Sequence, residues 1–199
     1  MAIRDVLYAC VECGREAGLK QKDKEEVCDR CGARYFRATG ASITLVRPSG
    51  DRETRSAADW LDELRASLPQ LGTRPDPRDR VVIRVAQANK PIRHGGIYLG
   101  RVELFGEPRT GWLSLTAEHL RFDPEQGAAE VWPLDRITAV QPSSTTLQIK
   151  LRHGPVVSMR FPEASPLLWE ERVRHAVQGY YTSSGRGDIA EYQPRIACR

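Results

Sequence analysis

The sequence predicts a mainly β fold with a helix at its C-terminal end, preceded by a small segment stapled by cysteines. Three observations carry this reading. Short alternations of apolar and polar residues follow one another from Val81 to Phe161. After Ser165 the hydrophobic period changes to helical spacing. Four of the five cysteines fall into two Cys-x-x-Cys-Gly units near the N-terminus. Composition divides the chain accordingly into a cysteine segment (1–38), a connector with one short helix (39–79), a strand-rich domain (80–181) and a tail (182–199).

The cysteine segment comes first. Cys10 and Cys13 are separated by two residues and followed directly by Gly14, and Cys28, Cys31 and Gly32 repeat the arrangement. A two-residue gap lets one turn of chain present both sulfurs to the same point, and glycine after the pair tolerates the left-handed backbone this needs. Fourteen residues separate Cys13 from Cys28, slightly fewer than is usual for paired knuckles that share one zinc ion. Four thiolates form a closed tetrahedral site with no position left for substrate. The reading is therefore one structural Zn2+ held by Cys10, Cys13, Cys28 and Cys31, which folds a segment too small to have a core of its own. The alternatives are two disulfides, a redox pair or a rubredoxin-type iron site. A redox Cys-x-x-Cys has no need of a duplicate, and iron knuckles of that type usually contain proline, which neither knuckle has. Lys20, Lys22 and Lys24 alternate with Asp23, Glu25 and Glu26, which reads as a solvated loop. Tyr35 and Phe36 are expected to pack on the segment.

In the connector, Ser56 stands three residues before Asp59, the reciprocal capping arrangement of a helix start. Trp60, Leu61, Leu64 and Leu68 recur at spacings of three and four, and Pro69 is expected to end the helix. A helix this short is marginal alone and must dock on its own neighbours or on a partner. GTRPDPRDR then reads as a linker.

Strands are predicted at Val81–Ala86, Ile97–Phe105, Gly111–Leu115, His119–Phe122, Glu130–Trp132 and Ile137–Gln141. Leu147, Ile149 and Leu151 alternate with polar residues, as do Val157, Met159 and Phe161, with His153 to Pro155 as the turn between them. Asn89 to Gly96, with Pro91 and a Gly-Gly pair, is expected as an exposed loop. Many short strands in series point to a barrel or sandwich. Ser165 then suits an N-cap and Pro166 the first helical position. Trp169, Val173, Ala176, Val177 and Tyr180 form one helical face, with Gly179 weakening its end.

Two resemblances follow from these motifs. Residues 8–37 resemble the zinc-ribbon family, which includes nucleic-acid binders, protein-interaction modules and purely structural attachments. Gly111-Trp-Leu-Ser-Leu-Thr116, Leu120-Arg-Phe122, Trp132-Pro-Leu134 and Ile137-Thr-Ala-Val140, followed by the helix with Trp169, resemble the GRAM group of the pleckstrin-homology-like superfold over residues 95–180. That resemblance implies a β-barrel closed by a helix, and binding of lipids or proteins in place of chemistry. Lys90, Arg93, His94 and Arg101 are the candidate anion- or lipid-binding residues, although their spacing does not reproduce the family's lipid-binding motif.

No catalytic motif is present. His94, His119, His153 and His175 lie in unrelated contexts, and no nucleophile elbow, phosphate-binding glycine loop or paired-histidine metal helix occurs. Net charge is a mild +4, which permits an anionic partner without requiring one. The opening MAIRDVLYACVEC lacks the pattern of an export signal. The expectation is a cytoplasmic, non-catalytic adaptor or regulatory module, at times peripheral to a membrane, with a protein partner or membrane surface as its ligand. A nucleic-acid-associated ribbon factor and an accessory subunit docking through the Trp60 helix are the alternatives. Cys198 is expected to be a lone free thiol.

Overall fold

The computed structural model describes residues 2–71, 77–143, 145–186, 189–192 and 195–198, with 67–71 and the last two segments described by their backbone. Among the described residues there are two antiparallel sheets and two α-helices.

The first sheet has five strands in sequence order: β1 (Leu19–Lys22), β2 (Glu25–Cys28), β3 (Arg34–Arg37), β4 (Ser42–Val46) and β5 (Arg52–Ser56). The last two lie where a connector was expected. They instead form a hairpin that extends the cysteine segment, with Ile43 and Leu45 buried. Helix α1 (Ala57–Leu71) follows directly. Its cap is reciprocal as expected: the Asp59 N–H donates to Ser56 Oγ at 3.1 Å, and the Ser56 N–H donates to Asp59 Oδ2 at 3.3 Å. The helix continues through Pro69 to Leu71, two residues past its expected end, and the side chain of Leu68 lies outside the described residues. Trp60 and Leu64 are buried, and the Trp60 indole N–H donates to the Ile43 carbonyl at 3.0 Å. The helix thus docks on its own sheet. Of the expected linker, 72–76 lie outside the described residues, while Arg78 to Arg80 already belong to the next strand.

The second sheet is built from β6 (Arg78–His94), β7 (Ile97–Phe105), β8 (Arg109–Leu115), β9 (His119–Pro124), β10 (Glu130–Pro133), β11 (Ile137–Pro142), β12 (Thr146–Leu151), β13 (Val156–Arg160), β14 (Ile189–Tyr192) and β15 (Arg195–Cys198). Its order is β10-β9-β8-β6-β13-β12-β11-β15-β14, with β7 paired to the far end of β6. The expected barrel does not close: among the described residues β10 and β14 are unpaired ends of an open sheet. Part of the expected tail forms β14 and β15, and β15 pairs β11 through Ala139 and Arg195. Gly111 has a steric reason to be glycine. A Cβ there would meet the Asp123 carbonyl oxygen at 2.3 Å and the Phe122 ring at 2.7 Å.

Helix α2 (Pro166–Ser183) packs over this sheet. The Leu167 N–H donates to Ser165 Oγ at 3.2 Å, which makes Ser165 the N-cap, and the helix runs past Gly179. Trp169, Val173, Val177 and Tyr181 are buried, and Trp169 stacks on Phe161 with ring centroids 5.4 Å apart. Tyr181, rather than Tyr180, makes the deepest contact at the end of the helix.

The same helix also belongs to the other core. Leu168 is buried among Trp60, Leu64, Tyr8 and Leu7, with Leu167 beside it. Polar contacts reinforce the join. Arg172 donates to Glu16 Oε2 at 2.6 Å and to Asp79 Oδ2 at 3.1 Å, and the Trp169 indole N–H donates to the same Asp79 oxygen at 3.0 Å. Arg65 of α1 donates to Glu171 Oε1 at 2.8 Å. One helix therefore completes two hydrophobic cores.

Candidate metal centre and an exposed arm

The two cysteine knuckles share one backbone design. The Gly14 N–H donates to the Cys10 carbonyl at 2.8 Å, and the Gly32 N–H to the Cys28 carbonyl at 3.0 Å. Cys10 N–H bonds the Arg15 carbonyl, and Cys28 N–H the Ala33 carbonyl, closing each loop in the same way. Gly14 and Gly32 have φ of 68° and 76°, the left-handed conformation anticipated from their position after each pair. The four Sγ atoms lie within 4.8 Å of one another.

Two of these separations, Cys10 to Cys31 and Cys13 to Cys28, are 3.6 Å. That is far longer than a disulfide bond of ~2.05 Å. It is close to the ~3.8 Å edge of a tetrahedron with Zn–S bonds of ~2.3 Å. Four cysteines thus lie close enough to bind one metal ion, compatible with a structural zinc.

Burial pushes the Cys10 and Cys31 thiols above their ordinary range. At Cys28 burial acts in the same direction but is outweighed by the N–H groups of Cys31 and Arg30, so this thiol is held below its ordinary value. A divalent cation would draw all four sulfurs into the thiolate form.

Tyr35 supports the site from behind. Its ring is fully buried, its hydroxyl lies 3.1 Å from Cys10 Sγ, and it accepts from the Val11 N–H at 3.0 Å. Donating its proton to a thiolate at Cys10 would orient that ligand and disperse its charge. Tyr35→Phe is expected to weaken zinc retention by roughly 10-fold or more, measured by competition with a chromophoric chelator. Glu26 is a further buried anchor that the sequence did not disclose. Its carboxylate accepts from the Ile3 and Arg4 N–H groups at 2.7 and 2.9 Å and ties down the N-terminal turn beside the knuckles.

The other candidate residues lie on an arm. Asn89 to His94, expected as a loop, instead continue β6 and pair with β7 up to a Gly95-Gly96 turn. Lys90, Arg93, His94 and Arg101 are all exposed there. The register divides them between two faces. Lys90 and His94 share a face with Ile92, Val102 and Leu104, whereas Arg93 and Arg101 share the other with Asn89, Pro91 and Glu103. They form no single pocket.

The larger surprise is apolar. Ile92, Ile97, Tyr98, Leu99, Val102 and Leu104 are between 42% and 68% exposed. Val102 and Leu104 lie in the strand expected at Ile97–Phe105, and alternation alone does not say which sheet face is covered. Near the arm's root a polar cleft of about 570 Å³ runs between Asn89, Arg101 and Glu103 on one side and Gln148 and Lys150 on the other.

No family model matches the sequence, and no curated protein matches it. Among solved structures it is similar to the C-terminal domain of an unknown protein from Leishmania infantum. The identity is 15%, covering 59% of this chain and 94% of that one, with a TM-score of 0.31.

Proposed function

We propose that this chain is a non-catalytic docking module in which a zinc ribbon is fused to a pleckstrin-homology-like domain that rests on an anionic membrane surface through its β6–β7 arm. The observation that carries this reading is the arm itself. Six large apolar side chains stand in solvent on one hairpin, and from Lys90 to Arg101 the charged residues are all basic. Exposed apolar patches of this kind mark binding surfaces. Apolar groups rimmed by Lys and Arg suit an interface of anionic headgroups over acyl chains. The strand series with α2 packed across it and Trp169 in its core supports the superfold resemblance. The matched knuckles with four converging sulfurs support the ribbon.

The competing readings have less behind them. On β1, Lys22 stands opposite Glu25, and Glu25 also pairs with Arg34 at 3.6 Å. The lysines there make no continuous basic strip for nucleic acid. The Trp60 face that an accessory subunit would use is filled by the chain's own core. No helix among the described residues is long and apolar enough to cross a membrane.

Sedimentation with phosphatidylcholine–phosphatidylserine vesicles tests the reading. At low salt the protein is expected in the pellet, with binding that falls as salt or the fraction of phosphatidylserine changes against attraction. Ile97→Asp with Leu99→Asp is expected to abolish it. Protein that stays in the supernatant at low salt refutes the membrane reading and leaves a protein as the arm's ligand.

A further inference from the structure

We infer that two copies of this chain associate through their arms, β7 against β7, as an antiparallel pair centred on Val102. The arm has two free edges, and they differ. On β6 the free edge carries Lys90 and Pro91, both of which blunt further pairing, proline because it has no N–H to donate. On β7 the stretch from Gly100 to Leu104 contains neither lysine nor proline, and it offers a row of backbone donors and acceptors. A register shift opposite Ile92 and Arg93 sets Leu99 apart as a bulge and bounds this stretch toward the tip.

Charge selects the register. Arg101 and Glu103 flank Val102 on the same face of β7. Across the arm they stand opposite Pro91 and Asn89, neither of which is charged. Among the described residues no ion pair is made by either. In a two-fold pair centred on Val102, Arg101 of each copy stands opposite Glu103 of the other, so one symmetry axis generates two opposite-charge pairs. Moving the register by two residues toward either end would instead place Arg101 opposite Arg101, or Glu103 opposite Glu103, which destabilises a sheet. Gly100 meets Leu104 of the second copy, with no side chain to crowd it. The stretch is thus self-complementary in one register.

The axis of such a pair runs perpendicular to the joined sheet. It places the Ile92, Val102 and Leu104 face of both arms on the same side. This association needs no membrane and stands or fails separately from the reading above.

The test uses the full zinc-loaded chain without lipid, in sedimentation equilibrium over a wide concentration range. The wild type is expected to be a dimer that dissociates on dilution. Arg101→Glu and Glu103→Arg are each expected to weaken the dimer at least tenfold, because each opposes two like charges. The double swap, Arg101→Glu with Glu103→Arg, is expected to restore it, since the pairing is merely reversed. Circular dichroism of each variant checks that the substitutions, at exposed Arg101 and half-buried Glu103, leave the fold intact. A wild type that stays monomeric at its highest soluble concentration overturns the inference. So does a dimer indifferent to the single reversals, or a double swap no better than either.

Discussion

Stripping the metal with a chelator, or replacing Cys13 by Ser, is expected to unfold the N-terminal sheet and to weaken the strand-rich core with it. A structural zinc of this type contributes about 10–16 kcal/mol in isolated fingers near neutral pH, as much as the whole stability of a typical domain, about 5–15 kcal/mol. The knuckles hold Leu7, Tyr8 and Ala9 in the same cluster as Trp60 and Leu168. Once that cluster opens, Leu168 loses its cover, and burial of one leucine is worth about 1.5–3 kcal/mol. The expected readings are one zinc per chain and a lowered melting temperature for the second sheet. Loss of amide protection in β1 to β5 should accompany them. A chelated protein that keeps this protection would refute a structural role for the metal. The pH dependence has a definite sign. The Cys10 and Cys31 thiols are raised by burial and keep their protons in the metal-free fold. Zinc must displace those protons, so its affinity rises with pH and falls in acid.

Arg172→Ala is expected to be strongly destabilising although arginine usually stands on the surface. The Arg172 side chain is 13% exposed and its partner Glu16 only 5%. Removing the guanidinium takes a 2.6 Å partner from the buried Glu16 carboxylate and withdraws one of the two donors that meet Asp79. Breaking a buried pair from one side costs about 3–5 kcal/mol, a fall in melting temperature of roughly 10 °C for a chain of this size. An exposed pair costs about 0–1 kcal/mol, and Arg80 with Glu125, each about half exposed at 2.6 Å, supplies the contrast. A double-mutant cycle with Glu16→Ala is expected to return a large coupling, because the two side chains meet in a buried, charge-assisted contact. Equal, small losses at Arg172 and Arg80 would rule out the lock.

What could be read from the sequence was mostly local. The cysteine cluster was legible because its two knuckles repeat one spacing, and the capping residues Ser56, Asp59 and Ser165 because each acts within one turn. The alternating strands from Gly111 onward were legible because their apolar face is covered along its length. The arm was not. Pro91 and the Gly95-Gly96 pair argue for a loop, yet an edge strand accommodates proline, and the glycines serve the hairpin turn. The hairpin of β4 and β5 was hidden by Arg52 to Ser56, which has no apolar residue to signal a strand. The lock was beyond reach for a different reason. Glu16 and Arg172 are 156 residues apart, and each looks like an ordinary surface charge until the fold buries both.

Helix α2 has a mechanical consequence. With its N-terminal leucines in one core and its remaining apolar face in the other, it acts as a strut without a pivot. The nine residues of β7 span about 30 Å, and that lever is mounted on the sheet the strut clamps. A pull at the Gly95-Gly96 tip is passed to the cysteine knuckles as a load instead of being absorbed by swivelling. Whatever grips the two ends of this molecule is therefore held at a set distance and a set angle, as on a bracket.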